Sequence, residues 1–211
     1  MSSTAEHLLS IARSQIGYRE KANNWVKYGP EFGMNNEPWC QIFVWWVFKH
    51  AGASAEMPKT ASTRVAYPWY KKHRMLVPVA KAQPGDVVWY HLTDDPKRQP
   101  VSHVGIVEKN LGGGVLRTIE GNTTPNGQGG PEGAYRRRRH SHIVAVGRPH
   151  LLPSGPPPQH AVHVVVSGDT MFSIAKAWGV SLDMLEKANP KAGHPAGNFK
   201  NIHPGDKIVH P

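Results

Sequence analysis

The first apolar pattern begins just inside the N-terminus. Leu8, Ile11, Ala12 and Ile16 recur at helical spacing. Ser3-Thr4-Ala5-Glu6 precedes them and fits a capping box, and Gly17 can end the helix. Residues 39–51 form a second segment, apolar without a break over 42–48. That run is too long and too continuous for an alternating strand, so it predicts a buried helix, with Gly52 at the C′ position. A third helix is expected over 62–73, against the counter-signal of Pro68. Beyond it the pattern shortens to β-rich runs at 87–91, 104–107, 115–120, 135–139 and 143–146, punctuated by Gly and Pro. Helices first and strands after predict an α+β fold with an antiparallel sheet.

The pattern breaks at 149–161, where five of 13 residues are proline. Such a stretch favours an extended, semi-rigid spacer of roughly 40 Å at most. The expected organisation is therefore a first domain over 1–148, a linker over 149–161 and a second domain over 162–211. In the second domain 163–166 reads as a strand. Ser167-Gly168-Asp169-Thr170 then forms a turn that caps a helix over 171–178. A further helix over 181–188 stops before Asn189-Pro190, and a Gly/Pro loop leads to a last strand at 207–209. The result is a βααβ unit.

Charge changes the picture in the first domain only. Of the chain's net charge of +10, residues 1–150 carry 20 Lys+Arg against 11 Asp+Glu, and residues 162–211 carry 5 against 4. Arg136 to Arg139 form a basic run, but alternate residues of a strand point to opposite faces. No recognition helix or aromatic platform accompanies them, so no nucleic-acid partner is expected. A basic face also suits an anionic polymer such as a phosphate-rich cell wall. The longest apolar run is seven residues, whereas a membrane helix needs about 20. The N-terminus shows no basic and apolar leader, so synthesis in the cytoplasm and a separate exit route are expected.

The chain has one cysteine, which excludes an intramolecular disulfide and a cysteine-cluster metal site. His140 with His142, and His160 with His163, lack a third ligand at zinc-typical spacing, so no metal or other cofactor is expected. Cys40 heads the second expected helix. There the helix dipole and free N–H groups favour a thiolate, although a lone cysteine also reads as a small buried hydrophobe. A nucleophile needs a base, and the base needs an orienting group. His103 opens a strand and Glu120 ends one, and a strand-turn-strand could bring them together.

Four motifs now stand in order: Pro38-Trp39-Cys40 running into a Trp-rich helix, Pro84-Gly85-Asp86-Val87-Val88, Ser102-His103-Val104-Gly105-Ile106-Val107 and Ile119-Glu120-Gly121-Asn122. Together, over about residues 4–148, they resemble a CHAP domain, the cysteine, histidine-dependent amidohydrolase/peptidase family with a papain-like fold. The resemblance implies that Cys40 is the nucleophile and His103 the general base, with Glu120 as orienting group and Asn122 as its helper. Trp39 is expected to line the cleft. Asn35 and Asn36 are turn formers or a second oxyanion donor. The segment Pro30 to Glu37 lacks an Asp-x-Asp pattern, so no calcium requirement is expected.

The second domain resembles a LysM module through Val164 to Ala175, Asn189-Pro190 and Ile202 to Ile208. That resemblance implies binding of glycans that contain N-acetylglucosamine. The matching positions place a groove at Gly168, Asp169, Thr170, Met171 and Phe172, opposite Asn201 and Ile202.

Together the two resemblances imply a peptidoglycan hydrolase that acts as a monomer on stem peptide and glycan without inserting into a membrane. The expected activity is that of an N-acetylmuramoyl-L-alanine amidase. A stem or cross-bridge endopeptidase and a non-catalytic wall-binding protein are the alternatives. The absence of a leader suggests a phage endolysin released through holes made by another protein, or a virion-associated hydrolase.

Overall fold

The computed structural model describes residues 4–92, 100–125, 130–152, 162–178, 180–190, 192 and 202–211. The chain divides into two compact units, residues 1–153 and 154–211.

The first unit opens with four helices: α1 Ala5–Ser14, α2 Gly29–Phe32, α3 Cys40–His50 and α4 Thr63–Lys72. Six strands follow: β1 Leu76–Val77, β2 Val87–Tyr90, β3 His103–Gly112, β4 Val115–Thr123, β5 Gly133–Arg139 and β6 Ile143–Gly147. They form one antiparallel sheet in the order β1-β6-β2-β3-β4-β5. This is the α+β arrangement expected, with α2 and β1 added. Both additions are too short for periodicity to reveal.

The α3 helix lies against β3 and β4, and its continuous apolar run has a simple cause. It is walled in on nearly every side, and Ile42, Phe43, Val44, Val47 and Phe48 are fully buried. Each such side chain contributes about 1.5–3 kcal/mol by leaving water. Tyr28, Trp39 and Phe43 pack edge-on or tilted in the same core. On the other side of the sheet a smaller cluster holds Val88, Tyr90, Val107, Leu116 and Val146.

Two local expectations need correction, and a third, the helix over 62–73, holds against its counter-signal. The cap of α1 is Thr4, whose Oγ1 accepts the His7 N–H at 3.2 Å; Glu6 pairs with Arg13 instead of closing a capping box. Pro68 sits inside α4 without ending it. Tyr70 explains why: it is fully buried against Trp89 and donates its hydroxyl to the Glu56 carbonyl at 2.6 Å, which offsets the cost of the missing N–H. Residues 149–152, expected in the linker, belong to the first unit. Leu151 packs on its core, the His150 backbone N–H donates to the Glu56 carboxylate at 2.7 Å, and Leu152 bridges to Thr4. The remainder of the expected linker lies outside the described residues.

The second unit pairs β7 Val162–Val164 with β8 Lys207–Val209, antiparallel, beside α5 Met171–Trp178 and α6 Leu182–Ala188. Its core is Val165, Met171, Ile174, Ala175, Leu185 and Ile208. Asn189 ties the end of α6 to β8. Its amide donates to the Leu185 and Val209 carbonyls, each at 2.8 Å, and its oxygen accepts the Val209 N–H at 2.7 Å.

Glu108, on β3, is buried where α1 crosses the sheet, and it meets Arg13, Arg117 and Arg136 at 2.6–3.0 Å. The Arg136 hydrogen bond, opposed by burial and helped by Arg13, holds its carboxyl down to about 2. A depressed carboxyl stabilises the fold fully above the ordinary carboxylate value, and that contribution is lost as pH falls through about 2. Glu108→Ala is therefore expected to cost about 2–3 kcal/mol in denaturant unfolding at pH 7. The difference from wild type should shrink progressively below about pH 4.5.

Candidate active site

The segment that presents Cys40 is fixed from the sheet. Trp39 is the N-cap of α3, and its backbone N–H donates to Asn122 Oδ1 at 2.7 Å. Its indole is fully buried and donates from Nε1 to Glu20 at 2.7 Å. Asn122 adopts a left-handed backbone (φ 54°) and donates its amide to Glu132. With Trp39 held at both ends, Cys40 becomes the first residue of α3, where backbone N–H groups point outward.

His103, the first residue of β3, is buried and hydrogen-bonded to Cys40. Its Nε2 lies 3.0 Å from Glu120 Oε2, which leaves Nδ1 for the thiol. Glu120 is fully buried. Its Oε1 accepts from Thr118 Oγ1 at 2.6 Å and from Arg139 Nε at 3.0 Å, and its Oε2 accepts from Arg139 Nη2 at 2.5 Å. The Tyr90 ring stacks on His103 at 5.9 Å, and the Arg139 guanidinium lies 5.1 Å over that same ring.

The electrostatics follow from this geometry. Burial pushes the His103 imidazole down, but its hydrogen bonds to Cys40 and Glu120 outweigh burial and raise it to about 9. Burial pushes the Glu120 carboxyl up, yet Arg139 and then His103 outweigh it and hold the group well below the usual carboxylate range. At neutral pH the pair is thus imidazolium and carboxylate. Cys40 opens onto a groove of about 390 Å³, whose walls include Met34, Pro38, Thr63, Val101 and Ser102.

In the second unit, Thr170 and Ser173 cap α5 reciprocally, each side-chain oxygen bonding the other's backbone N–H at 2.9–3.0 Å. Gly168 takes φ 94° in the turn before them. Asp169 Oδ2 accepts the Val166 N–H at 2.9 Å and meets His163 Nε2 at 2.5 Å.

Residues 32–122 match the family model for the CHAP domain, and residues 163–211 match that for the LysM domain. The chain carries a CHAP domain followed by a LysM domain. No curated protein matches it at a significant level. Among solved structures it resembles a lipoprotein-like protein of the NLP/P60 family from Staphylococcus aureus, at 19% identity and a TM-score of 0.43. That match covers 69% of this chain and 41% of the other. It also resembles a mutated form of the Resuscitation Promoting Factor Interacting protein RipA, at 18% identity and a TM-score of 0.39, over 68% of this chain and 61% of that one. The peptidoglycan hydrolase RipB from Mycobacterium tuberculosis gives 19% identity and a TM-score of 0.38, over 68% and 63%. This chain thus spans less than two thirds of each.

Within the CHAP domain the structure brings Cys40, His103 and Glu120 together. Two other expected residues take different parts. Trp39 does not line the cleft, because its ring is sealed in the core between Tyr28 and Phe43. Asn122 spends its side chain on Trp39 and Glu132 instead of helping Glu120, so it positions the turn that carries Cys40. Asn35 clasps both backbone groups of Val26, and Asn36 donates to the Asn23 carbonyl, so both hold turns. Thr118, Tyr90 and Arg139 surround the pair but were missed in the sequence. Arg139 was legible only as part of a basic run. Pairing β4 with β5 in register would have placed Arg139 and Arg137 on the Glu120 face and Arg136 on the other.

Within the LysM domain the Met171 side chain is buried in the core, whereas its neighbour Phe172 is 65% exposed. Ile202 packs partly against that core. Asn201 lies outside the described residues. Also among the described residues, no cluster of three or more His, Cys, Asp or Glu side chains could hold a metal ion.

Gly105 shows how closely the site is packed. A Cβ there would meet Glu120 Cγ at 2.6 Å. Gly105→Ala is expected to displace the carboxylate from His103. Alkylation of the single cysteine by iodoacetamide at pH 7 should then slow several-fold, while thermal unfolding remains cooperative.

Proposed function

We propose that the chain is a peptidoglycan hydrolase that cleaves an amide of the stem peptide with Cys40 as nucleophile. The observation that carries this reading is the buried His103 imidazole held between the Cys40 thiol and the Glu120 carboxylate at the edge of a groove. The LysM domain supplies the reading of the substrate, as a module for wall glycan.

The Cys40 thiolate attacks the amide carbonyl, and the backbone N–H of Cys40 is placed to receive the developing oxyanion. Imidazolium His103 gives its proton to the leaving amine as the carbon–nitrogen bond breaks. Neutral His103 then takes a proton from water, which attacks the thioester and frees the carboxylate product and the thiol. Glu120 keeps the ring oriented through both proton transfers.

The favoured bond is the N-acetylmuramoyl–L-alanine amide. A glycan-binding domain on the same chain raises the local concentration of the nucleophile near the glycan strand, where that amide lies. A role as an endolysin made in a host cytoplasm and released to the wall fits a two-module lytic enzyme of this kind.

The test is mass spectrometry of fragments released from purified peptidoglycan by wild type and Cys40→Ala. Wild type alone is expected to release glycan-free stem peptides that start at L-alanine. Fragments cut within the stem or cross-bridge would make it an endopeptidase, and no release by either protein would leave a wall-binding protein. His103→Ala should lower release by about a thousand-fold or more without unfolding the chain. Because the imidazolium must be present to protonate the amine, turnover should fall as pH rises through about 9. EDTA should leave it unchanged. Removing residues 154–211 should weaken wall binding and slow lysis of whole cells, while small soluble muropeptides are still cleaved.

A further inference from the structure

A buried carboxylate next to a histidine base creates a problem that the CHAP match, which ends at residue 122, does not address. Uncompensated, its charge would bind the imidazolium proton so tightly that His103 would be a poor acid for the leaving amine. The sheet answers with a residue from the next strand. Arg139, on β5, grips both oxygens of Glu120, at 3.0 Å through Nε and 2.5 Å through Nη2. It is largely buried there, with a side chain 14% exposed. Its guanidinium also packs over the face of Tyr90, the ring that stacks on His103. Thr118 takes the remaining capacity of Oε1.

We propose that Arg139 is a positioning residue for the Cys40 site, one that fixes the Glu120 carboxylate and offsets its charge so that His103 meets a nearly neutral partner. The role deepens the hydrolase reading above and rests on it for its purpose. A bidentate guanidinium–carboxylate pair is rigid and close to neutral overall. It can therefore orient an imidazole as a neutral amide would, while remaining a strong acceptor.

The charged and titratable groups that face His103 come from several elements. They are Cys40 from α3, Glu120 from β4 and Tyr90 from β2. Glu132, just before β5, feels the His103 charge, and Arg137 on β5 faces Glu120 and Arg139. Among the basic groups of the described residues, Arg139 alone touches the carboxylate on both oxygens, so its removal changes the field at His103 most directly.

The experiment is an NMR titration of the His103 ring in the full chain, with the resonance assigned by its loss in His103→Gln. Removing the Arg139 charge alone, in Arg139→Gln, should move the His103 midpoint up by about one pH unit. Removing the carboxylate alone, in Glu120→Gln, should move it down. The double variant Glu120→Gln/Arg139→Gln should fall below Arg139→Gln, because both charges are gone. Arg139→Lys, which keeps the charge but not the fork, should stay near wild type in midpoint while losing turnover. A residue that merely held the sheet together would lower stability without producing this order. If Arg139→Gln does not fold, the double variant titrating above Glu120→Gln supports the same charge offset, and equal midpoints overturn it. A folded Arg139→Gln whose midpoint is unmoved or lowered also overturns the proposal. The titration needs no substrate, so it stands or fails separately from the fragment analysis that tests the hydrolase reading.

Discussion

Glu120 is a carboxylate with no exposure to water, and much of the first unit is arranged to make that tolerable. An ionised carboxylate in such a place needs donors on both oxygens. They arrive from three strands: Thr118 from its own, His103 from β3 and Arg139 from β5. The antiparallel order β3-β4-β5 is what places them on one face. Gly105 is open because the carboxylate passes over it. The same group that faces the imidazolium is thereby itself held by the sheet, through Arg139 and Thr118.

The helix that carries Cys40 answers to a different constraint. Its N-terminus must stay at the groove while nearly all of its length is buried. Apolar residues on every side accomplish the burial, which is why its sequence reads as a continuous run and not as a stripe. Two such centres, a charged one on one side of the sheet and an aromatic one on the other, share β4 as a wall.

This division explains what could be read from the sequence. The run over 42–48, the short β-rich runs and the motifs around Cys40, His103 and Glu120 are local, and each is legible in the sequence. So are the second unit's elements, where the turn Ser167 to Thr170 announces α5 and the strand at 207–209 is found unchanged. What escaped depends on partners distant in the chain. Trp39 sits beside Cys40 in sequence, but Tyr28 and Glu20 draw its ring into the core. Arg139 looked like one member of a solvated basic run, and only strand register shows that it is a counter-ion. Arg136, three residues earlier, pairs with the buried Glu108 on the opposite face, so half of that run is spent on buried carboxylates.

The four residues 119–122 carry the coupling between His103 and Cys40. Ile119 points into the core beneath α3. Glu120 turns to the other face and holds His103. Gly121 has no side chain because a Cβ would meet Phe43 and Trp39 at 2.6 Å, and its absence lets α3 approach the strand. Asn122, in a left-handed conformation that few residues adopt without cost, takes the Trp39 backbone N–H immediately before Cys40. One strand end thus orients the imidazole through its second residue and anchors the thiol's helix through its third and fourth. A displacement of this strand would move both partners together, which preserves their separation in a way that independent supports could not.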